Sequence, residues 1–227
     1  MRQNRNLLIF SLLLLVISGC NESKSKKNFT EGTIEYSIQF EKNNKSNLSS
    51  TLLPNRLTVR FRDNNTATRI EGLSGSVNLT YINNIKTQNC IILVNIWGKK
   101  LFFQDSIAKG NLPNFYAGMP NITIEKTNEE VSFQGYNCKK AIAHSSDLSF
   151  EILYTNEIKI ANPNANTPFD AIDGVLLKFN IILHKQLMSI SASSIKSEEI
   201  PLNQFTVPSK YEKVPKKIIE DLISLMQ

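Results

Sequence analysis

The sequence predicts an all-β fold, mainly antiparallel, with about nine to eleven strands and one amphipathic helix at the C-terminus. Several segments alternate apolar and polar residues with a period of two, which is typical of strands with one solvated face. Turn-forming Asn, Asp and Gly residues separate these segments at short intervals. Only the last part of the chain shows a clear helical period.

The composition fits a folded chain with a sizeable core. The 227 residues are 41% hydrophobic and 20% charged, which excludes a wholly disordered chain. Nine Gly and eight Pro exclude collagen-like and proline-rich architectures. The net charge of +6 is mild and names no partner by itself.

The first twenty residues have the organisation of a secretion signal. Arg2 and Arg5 precede an apolar stretch at 7–17, which is shorter than the roughly 20 residues that a membrane-spanning helix needs. The residues Ile17-Ser18-Gly19-Cys20 resemble a bacterial lipobox, and this resemblance implies covalent lipid on the sulfur of Cys20. The alternative is an ordinary signal peptide that contains a chance cysteine.

This interpretation sets the expected organisation of the chain. Residues 1–19 are a lipoprotein signal peptide, residues 20–28 are the lipidated cysteine with a flexible tether, and residues 29–227 are a single β-rich domain. Two or more acyl chains anchor a protein stably, so the expected partner is a membrane, contacted through the lipid on Cys20. The expected location is the bacterial cell envelope, with the domain facing the periplasm.

The clearest strand pattern lies at residues 33–41, and similar alternation recurs around 57–62, 77–81, 131–133 and 148–154. Two stretches, 91–97 and 175–183, are predominantly apolar apart from Asn95, Lys178 and Asn180, so we expect both faces of these strands to be covered. Turns are expected at several Asn, Asp and Gly positions, including 63–65, Gly98 and Asn128.

The helix is expected to begin at Pro215, a residue favoured at the first helical position. Its apolar stripe comprises Ile218, Ile219, Leu222, Ile223 and Met226.

Three segments of the second half, 134–141, 154–158 and 169–177, stand in an order that resembles the GLPGLI-type bacterial lipoproteins and their relatives of LolA-like fold. The segment Ala171-Ile172-Asp173-Gly174-Val175-Leu176-Leu177 takes the place of the family's Gly-Leu-Pro-Gly-Leu-Ile, with Asp173 at the central proline. The resemblance covers about residues 130–210. It implies a half-open antiparallel barrel whose apolar concave face is closed by short helices.

Two cysteines remain after Cys20. Cys90 and Cys138 are either a disulfide pair, as an oxidising compartment permits, or two separate buried thiols. With only His144 and His184 available, we expect no metal site. The chain has no glycine-rich nucleotide motif, so we expect no cofactor.

The sequence offers no convincing catalytic constellation. His144 and Asp147 are three residues apart, which places them on opposite faces of a strand. Residues 72–76 lack the spacing of a nucleophile elbow because Gly75 follows Ser74 directly. We therefore expect a protein that is not an enzyme, and one that binds no nucleic acid because aromatic residues are not interleaved with its basic ones.

The apolar faces of the first two strands are the best clue to function. They either line a cavity or fill a core, and the sequence leaves both open. In the first case the protein is a binding or carrier module for a lipid-like ligand. In the second it is a structural or interaction lipoprotein with a partner in the envelope. The expected inward residues are Ile34, Tyr36, Ile38, Phe40, Leu57, Val59 and Phe61.

Overall fold

A computed structural model describes residues 28–40, 54–72, 75–107, 116, 119–145, 148–183 and 186–224. The expected signal peptide, the lipid-attachment residue Cys20 and nearly all of the expected tether lie outside the described residues. Asp147, His184 and Met226 also lie outside them.

The described residues form twelve strands and one α-helix. The strands are β1 (Glu31–Phe40), β2 (Pro54–Arg62), β3 (Asn65–Gly72), β4 (Val77–Asn84), β5 (Asn89–Ile96), β6 (Lys99–Ser106), β7 (Thr123–Phe133), β8 (Tyr136–His144), β9 (Ser149–Thr155), β10 (Val175–Leu183), β11 (Gln186–Lys196) and β12 (Glu212–Lys213); the helix is α1 (Lys216–Ser224).

All twelve strands belong to one open sheet in the order β12-β6-β5-β4-β3-β2-β1-β11-β10-β9-β8-β7. It consists of two antiparallel meanders, β1 to β6 and β7 to β11, joined by the antiparallel pairing of β1 with β11. The prediction of a mainly antiparallel all-β fold is confirmed. The strand count exceeds the expected nine to eleven, since β12 is a two-residue strand parallel to β6 and is too short to show alternation.

In the first meander, the strand register aligns residues of all six strands in rows on the same face of the sheet. One row of directly opposed residues runs through Tyr36, Leu57, Ile70, Leu79, Val94 and Leu101. The adjacent row runs through Ile34, Val59, Thr68, Tyr81, Ile92 and Phe103. We call this face the inner face, and the opposite one the outer face.

The largest core cluster closes one end of the inner face. The Phe29 ring lies 5.6 Å from that of Phe61, and Phe29 also forms a parallel bridge with Ile158. Phe169, which lies in the loop between β9 and β10, packs edge-on against Phe179 of β10, with 5.5 Å between the ring centroids. Through these contacts, the loop between β9 and β10 covers the residues that immediately precede β1.

Strand β5 is covered on both faces, as its predominantly apolar pattern predicts. Ile219 and Ile223 of α1 pack over its inner face, while Ile200 and Phe205 pack over its outer face. In β10, the successive residues Leu176 and Leu177 are both buried. The predicted helix is confirmed, beginning at Lys216, one residue after Pro215. Among the described residues, no helix has the length and apolar character needed to cross a membrane.

Three hairpin turns place both central residues at positive φ, which matches the twist of antiparallel strands. They are Asp63-Asn64, Trp97-Gly98 and Gln134-Gly135. The turn expected at Asn128 is wrong. That residue lies inside β7, where the register with β8 shifts between Lys126 and Glu130, so the Asn marks an irregularity within a strand.

Candidate ligand-binding cavity

The inner face encloses a cavity of about 820 Å³, a size within the usual range of small-molecule sites. Side chains from β1 to β5 and from β10 and β11 line it, so the sheet curves around the space. Residues 160–169 and 119–122, together with Tyr116, complete the wall.

The seven inward residues expected from the sequence divide into two groups. Tyr36, Ile38, Leu57 and Val59 line the cavity. The other three belong to the large core cluster and do not line the cavity: Ile34 and Phe61 are fully buried, and Phe40 packs partly buried against the cluster. At the end where Ile34 and Phe61 lie, the two strands therefore fill a core, and further along, at Tyr36 and Ile38, they border a void.

The cavity has two chemically different walls. The apolar wall is contributed by β1, β2, β10 and β11, and includes Ile38, Leu57, Val59, Phe179, Ile181, Met188 and Ile190. The polar wall is contributed by β3 and β4, although Ile70 of β3 is apolar, and the loops add the polar residues Asn121, Asn164, Asn166 and Thr167 to the lining. There Thr66 lies directly opposite Asn83, and Thr68 lies directly opposite Tyr81.

We call Thr66, Thr68, Tyr81 and Asn83 the polar patch. No hydrogen bond joins the Thr66, Thr68 or Asn83 side chains to another described residue. Sequence reasoning missed this patch because a strand with Thr on its inner face lacks apolar alternation. The sequence does contain one signal for this strand, the period-two series Thr66, Thr68 and Ile70 between turn residues.

The titratable groups on the cavity wall are uncharged near neutral pH. Burial raises the pKa of Tyr36 and Tyr81 above their ordinary value, and raises that of Tyr116 to about 12. Burial likewise raises the pKa of the Cys90 thiol to about 12. None of the described residues that line the cavity is Asp, Glu, Lys, Arg or His.

Cys90 and Cys138, which the sequence leaves open as a disulfide pair or as separate thiols, are not bridged. Cys90 and Cys138 are both buried free thiols, and they belong to different core clusters. Cys90 lies on β5 beside α1, whereas Cys138 lies on β8 in the second meander. Burial, followed by the negative charge of Glu157, raises the pKa of the Cys138 thiol to about 11. These two cysteines are therefore small apolar core residues, the second of the two alternatives.

The segment that carries the family resemblance supports the cavity wall. The side-chain amide of Asn164 donates to the carbonyl oxygens of Ile172 and Gly174 at 2.7 and 2.9 Å. A Cβ atom at Gly174 would lie 2.7 Å from the Tyr154 ring and 2.9 Å from the Thr155 carbonyl oxygen. Close backbone approach explains the glycine at this position.

A serine, a histidine and a glutamate meet on the outer face of β7 to β9. The Nδ1 atom of His144 lies 2.9 Å from Ser149 Oγ, and its Nε2 atom lies 3.2 Å from Glu125 Oε2. These are residue types of a hydrolase triad, but Glu125 and Ser149 are exposed, His144 is half-buried, and none of the three lines the cavity. Within the described parts of the chain, no cluster of His, Cys, Asp and Glu has the makeup of a metal site.

Comparison with known proteins gives the fold alone. No protein-family model and no curated protein sequence matches the chain, so the resemblance to GLPGLI-type and LolA-like proteins has no support of that kind. Two crystal structures of PNGF-II share the fold at 16% identity, with TM-scores of 0.52 and 0.51. The match covers 86% of this chain and 33% or 32% of PNGF-II, so the chain spans about a third of that protein.

LprF from Mycobacterium bovis aligns with 80% of this chain and 92% of its own chain, at 12% identity and a TM-score of 0.31.

Proposed function

We propose that the protein is a non-enzymatic binding or carrier module for a lipid-like ligand. The observation that carries the proposal is the cavity itself. It offers about 820 Å³ of space behind an apolar wall, and its described lining has no charged side chain. Burial of apolar surface at about 25 cal/mol per Å² supplies the affinity for such a ligand.

The proposal includes the membrane anchor. Lipid on Cys20 holds the domain at the envelope membrane on the periplasmic side, where it exchanges its ligand with lipid or with an envelope protein. Replacing Cys20 by Ser removes the sulfur to which the lipid is attached. Cys20→Ser is expected to abolish labelling by a fatty-acid analogue and to move the protein out of the membrane fraction; unchanged partitioning contradicts the anchor. Protection from protease added to intact cells tests the periplasmic side.

Filling the cavity tests the binding function. The experiment uses the chain without residues 1–19 and with Cys20→Ser, which retains every described residue; we call it the lipid-free chain. Ile38→Trp adds volume to the cavity wall, so it is expected to reduce uptake of a fluorescent lipid at least tenfold with little loss of stability. Gln39→Trp is the matched control, since Gln39 is exposed on the next position of β1.

The alternative is that side chains fill the core and that the protein is a structural or interaction lipoprotein. In that case Ile38→Trp is overpacking and destabilises the domain by about 1–3 kcal/mol. Native mass spectrometry of the lipid-free chain would then show only the apo mass. This pair of results would replace the carrier function by the interaction function.

A further inference from the structure

We infer that the ligand is an uncharged amphiphile, one with a hydroxyl, ester or amide group, and that this polar group lies against the polar patch inside the cavity. The inference rests on the proposed binding function and narrows it to one chemical class. Its basis is the placement of polar side chains relative to the cavity.

The polar patch lies on the cavity wall, away from the outer face. Thr66 and Asn83 form one directly opposed pair across β3 and β4, and Thr68 and Tyr81 form the next pair along the same strands. All four side chains line the cavity. A plain hydrocarbon ligand would leave the Thr66, Thr68 and Asn83 side chains without partners once water is expelled, which is unfavourable by the full desolvation penalty of each group.

The same wall disfavours an anion. No described lining residue carries a positive charge, and the tyrosines and the thiol on the wall stay protonated near neutral pH because they are buried. A buried carboxylate needs a cation or several strong donors to replace its hydration. A neutral group needs only the one or two hydrogen bonds that Thr and Asn side chains supply.

The part of the wall formed by β10 and β11 accommodates the apolar part of the ligand. Phe179, Ile181, Met188 and Ile190 of β10 and β11 face the cavity without any polar atom in their side chains. Among the strands that line the cavity, β3 and β4 contribute the Thr and Asn side chains, whereas β10 and β11 contribute only apolar ones. A ligand with one polar end and one hydrocarbon part matches this separation.

The test compares dodecan-1-ol with dodecanoate, which share a tail length and differ in charge. The lipid-free chain is loaded with the fluorescent probe N-phenyl-1-naphthylamine, and each compound displaces it at pH 8. Dodecanol is expected to bind at least tenfold more tightly, and the difference is expected to shrink as the pH falls towards the pKa of the carboxyl group. Equal or tighter binding of dodecanoate at pH 8 overturns the inference and leaves the binding function intact.

A pair of isosteric variants locates the polar group. Thr68→Val removes one hydroxyl from the patch and is expected to weaken dodecanol about two- to tenfold, the value of one hydrogen bond. Thr58→Val removes a buried hydroxyl from β2 that does not line the cavity, and is expected to leave dodecanol binding unchanged. The affinity for the probe itself is measured for each variant.

Unchanged dodecanol binding in Thr68→Val, with the probe bound normally, overturns the placement of the polar group. If the unmodified lipid-free chain binds neither the probe nor any amphiphile, the proposed function fails and this inference fails with it. The two failures are thus distinguished by whether the lipid-free chain binds the probe or any amphiphile at all.

Discussion

The hydroxyl of Tyr36 donates a 2.8 Å hydrogen bond to the carbonyl oxygen of Leu176, which is 140 positions away in the chain. The bond reaches from β1 across β11 to β10. Leu176 lies where the register between β10 and β9 shifts, and such an irregularity leaves ladder groups unpaired. A single buried hydroxyl therefore ties the first meander to the second on the wall of the cavity.

Removing this hydroxyl is expected to destabilise the fold. Tyr36→Phe leaves the buried Leu176 carbonyl without its partner, so the free energy of unfolding should fall by about 1–3 kcal/mol in urea denaturation. Tyr211→Phe is the control, because no hydrogen bond joins the Tyr211 hydroxyl to another described residue, and its effect should stay within about 0.5 kcal/mol. Equal effects of the two variants would contradict the role of the Tyr36 bond.

Stability should fall at alkaline pH. The pKa of the Cys90 thiol is about 12 in the folded protein against an ordinary value of 9.0, so between these values the unfolded chain binds fewer protons than the folded one. The stabilisation is complete below pH 9 and is lost as the pH rises towards 12, by up to about 1.4 kcal/mol per pH unit for one group. Cys138 and the buried tyrosines act in the same direction.

Urea unfolding at pH 7.5, 9 and 10.5 measures this loss. In Cys90→Ala the stability at pH 7.5 also changes, so the slope with pH is the quantity to compare. A shallower slope is expected in the variant, and an identical slope would show that the thiol ionises equally in both states.

Helix α1 should dock through Ile219 and not through Ile218. Ile219 is fully buried in a cluster with inner-face residues of β5 and β6, whereas Ile218 is 41% exposed although the sequence places both in the apolar stripe. Ile219→Ala is expected to lower the free energy of unfolding by about 2–5 kcal/mol. Ile218→Ala, the same change one residue earlier, should alter it by about 0.5 kcal/mol or less. Similar losses at both positions would mean that the helix packs through a different face.

Gly174 should tolerate no side chain. Gly174→Ala forces the new Cβ atom against the Tyr154 ring and the Thr155 carbonyl oxygen, so thermal unfolding should report a loss of about 1–3 kcal/mol. Asp173→Ala changes the neighbouring residue, whose ion pair with Lys126 is exposed and contributes about 0–1 kcal/mol. A Gly174→Ala protein as stable as the unmodified chain would show that the loop relaxes.

Local patterns in the sequence predicted much of the fold. Strong alternation identified β1, and the stripe after Pro215 identified α1. Strand β3 was missed because its inner face carries Thr66 and Thr68, and polar residues on both faces imitate a solvated loop.

The cavity could not be predicted in the same way. Ile34 and Val59 are opposed residues of equally apolar character, yet the first is fully buried and the second borders the void. The difference arises because Phe29, Phe61 and the loop after β9 fill one end of the inner face. Phe29 and Ile158, which form a bridge there, are 158 − 29 = 129 positions apart in the chain, and periodicity carries no information on such pairings.

The pairing of β1 with β11 also governs how the protein assembles. Each meander pairs strands that follow one another in sequence, so each can form locally, but β1 gains its second neighbour only when residues 186–196 are present. Until then two strand edges are exposed to association with other chains. The newly made chain therefore exposes these edges until residues 186–196 have been synthesised, and the cavity, which residues of β1, β10 and β11 line together, can close only after they have been added.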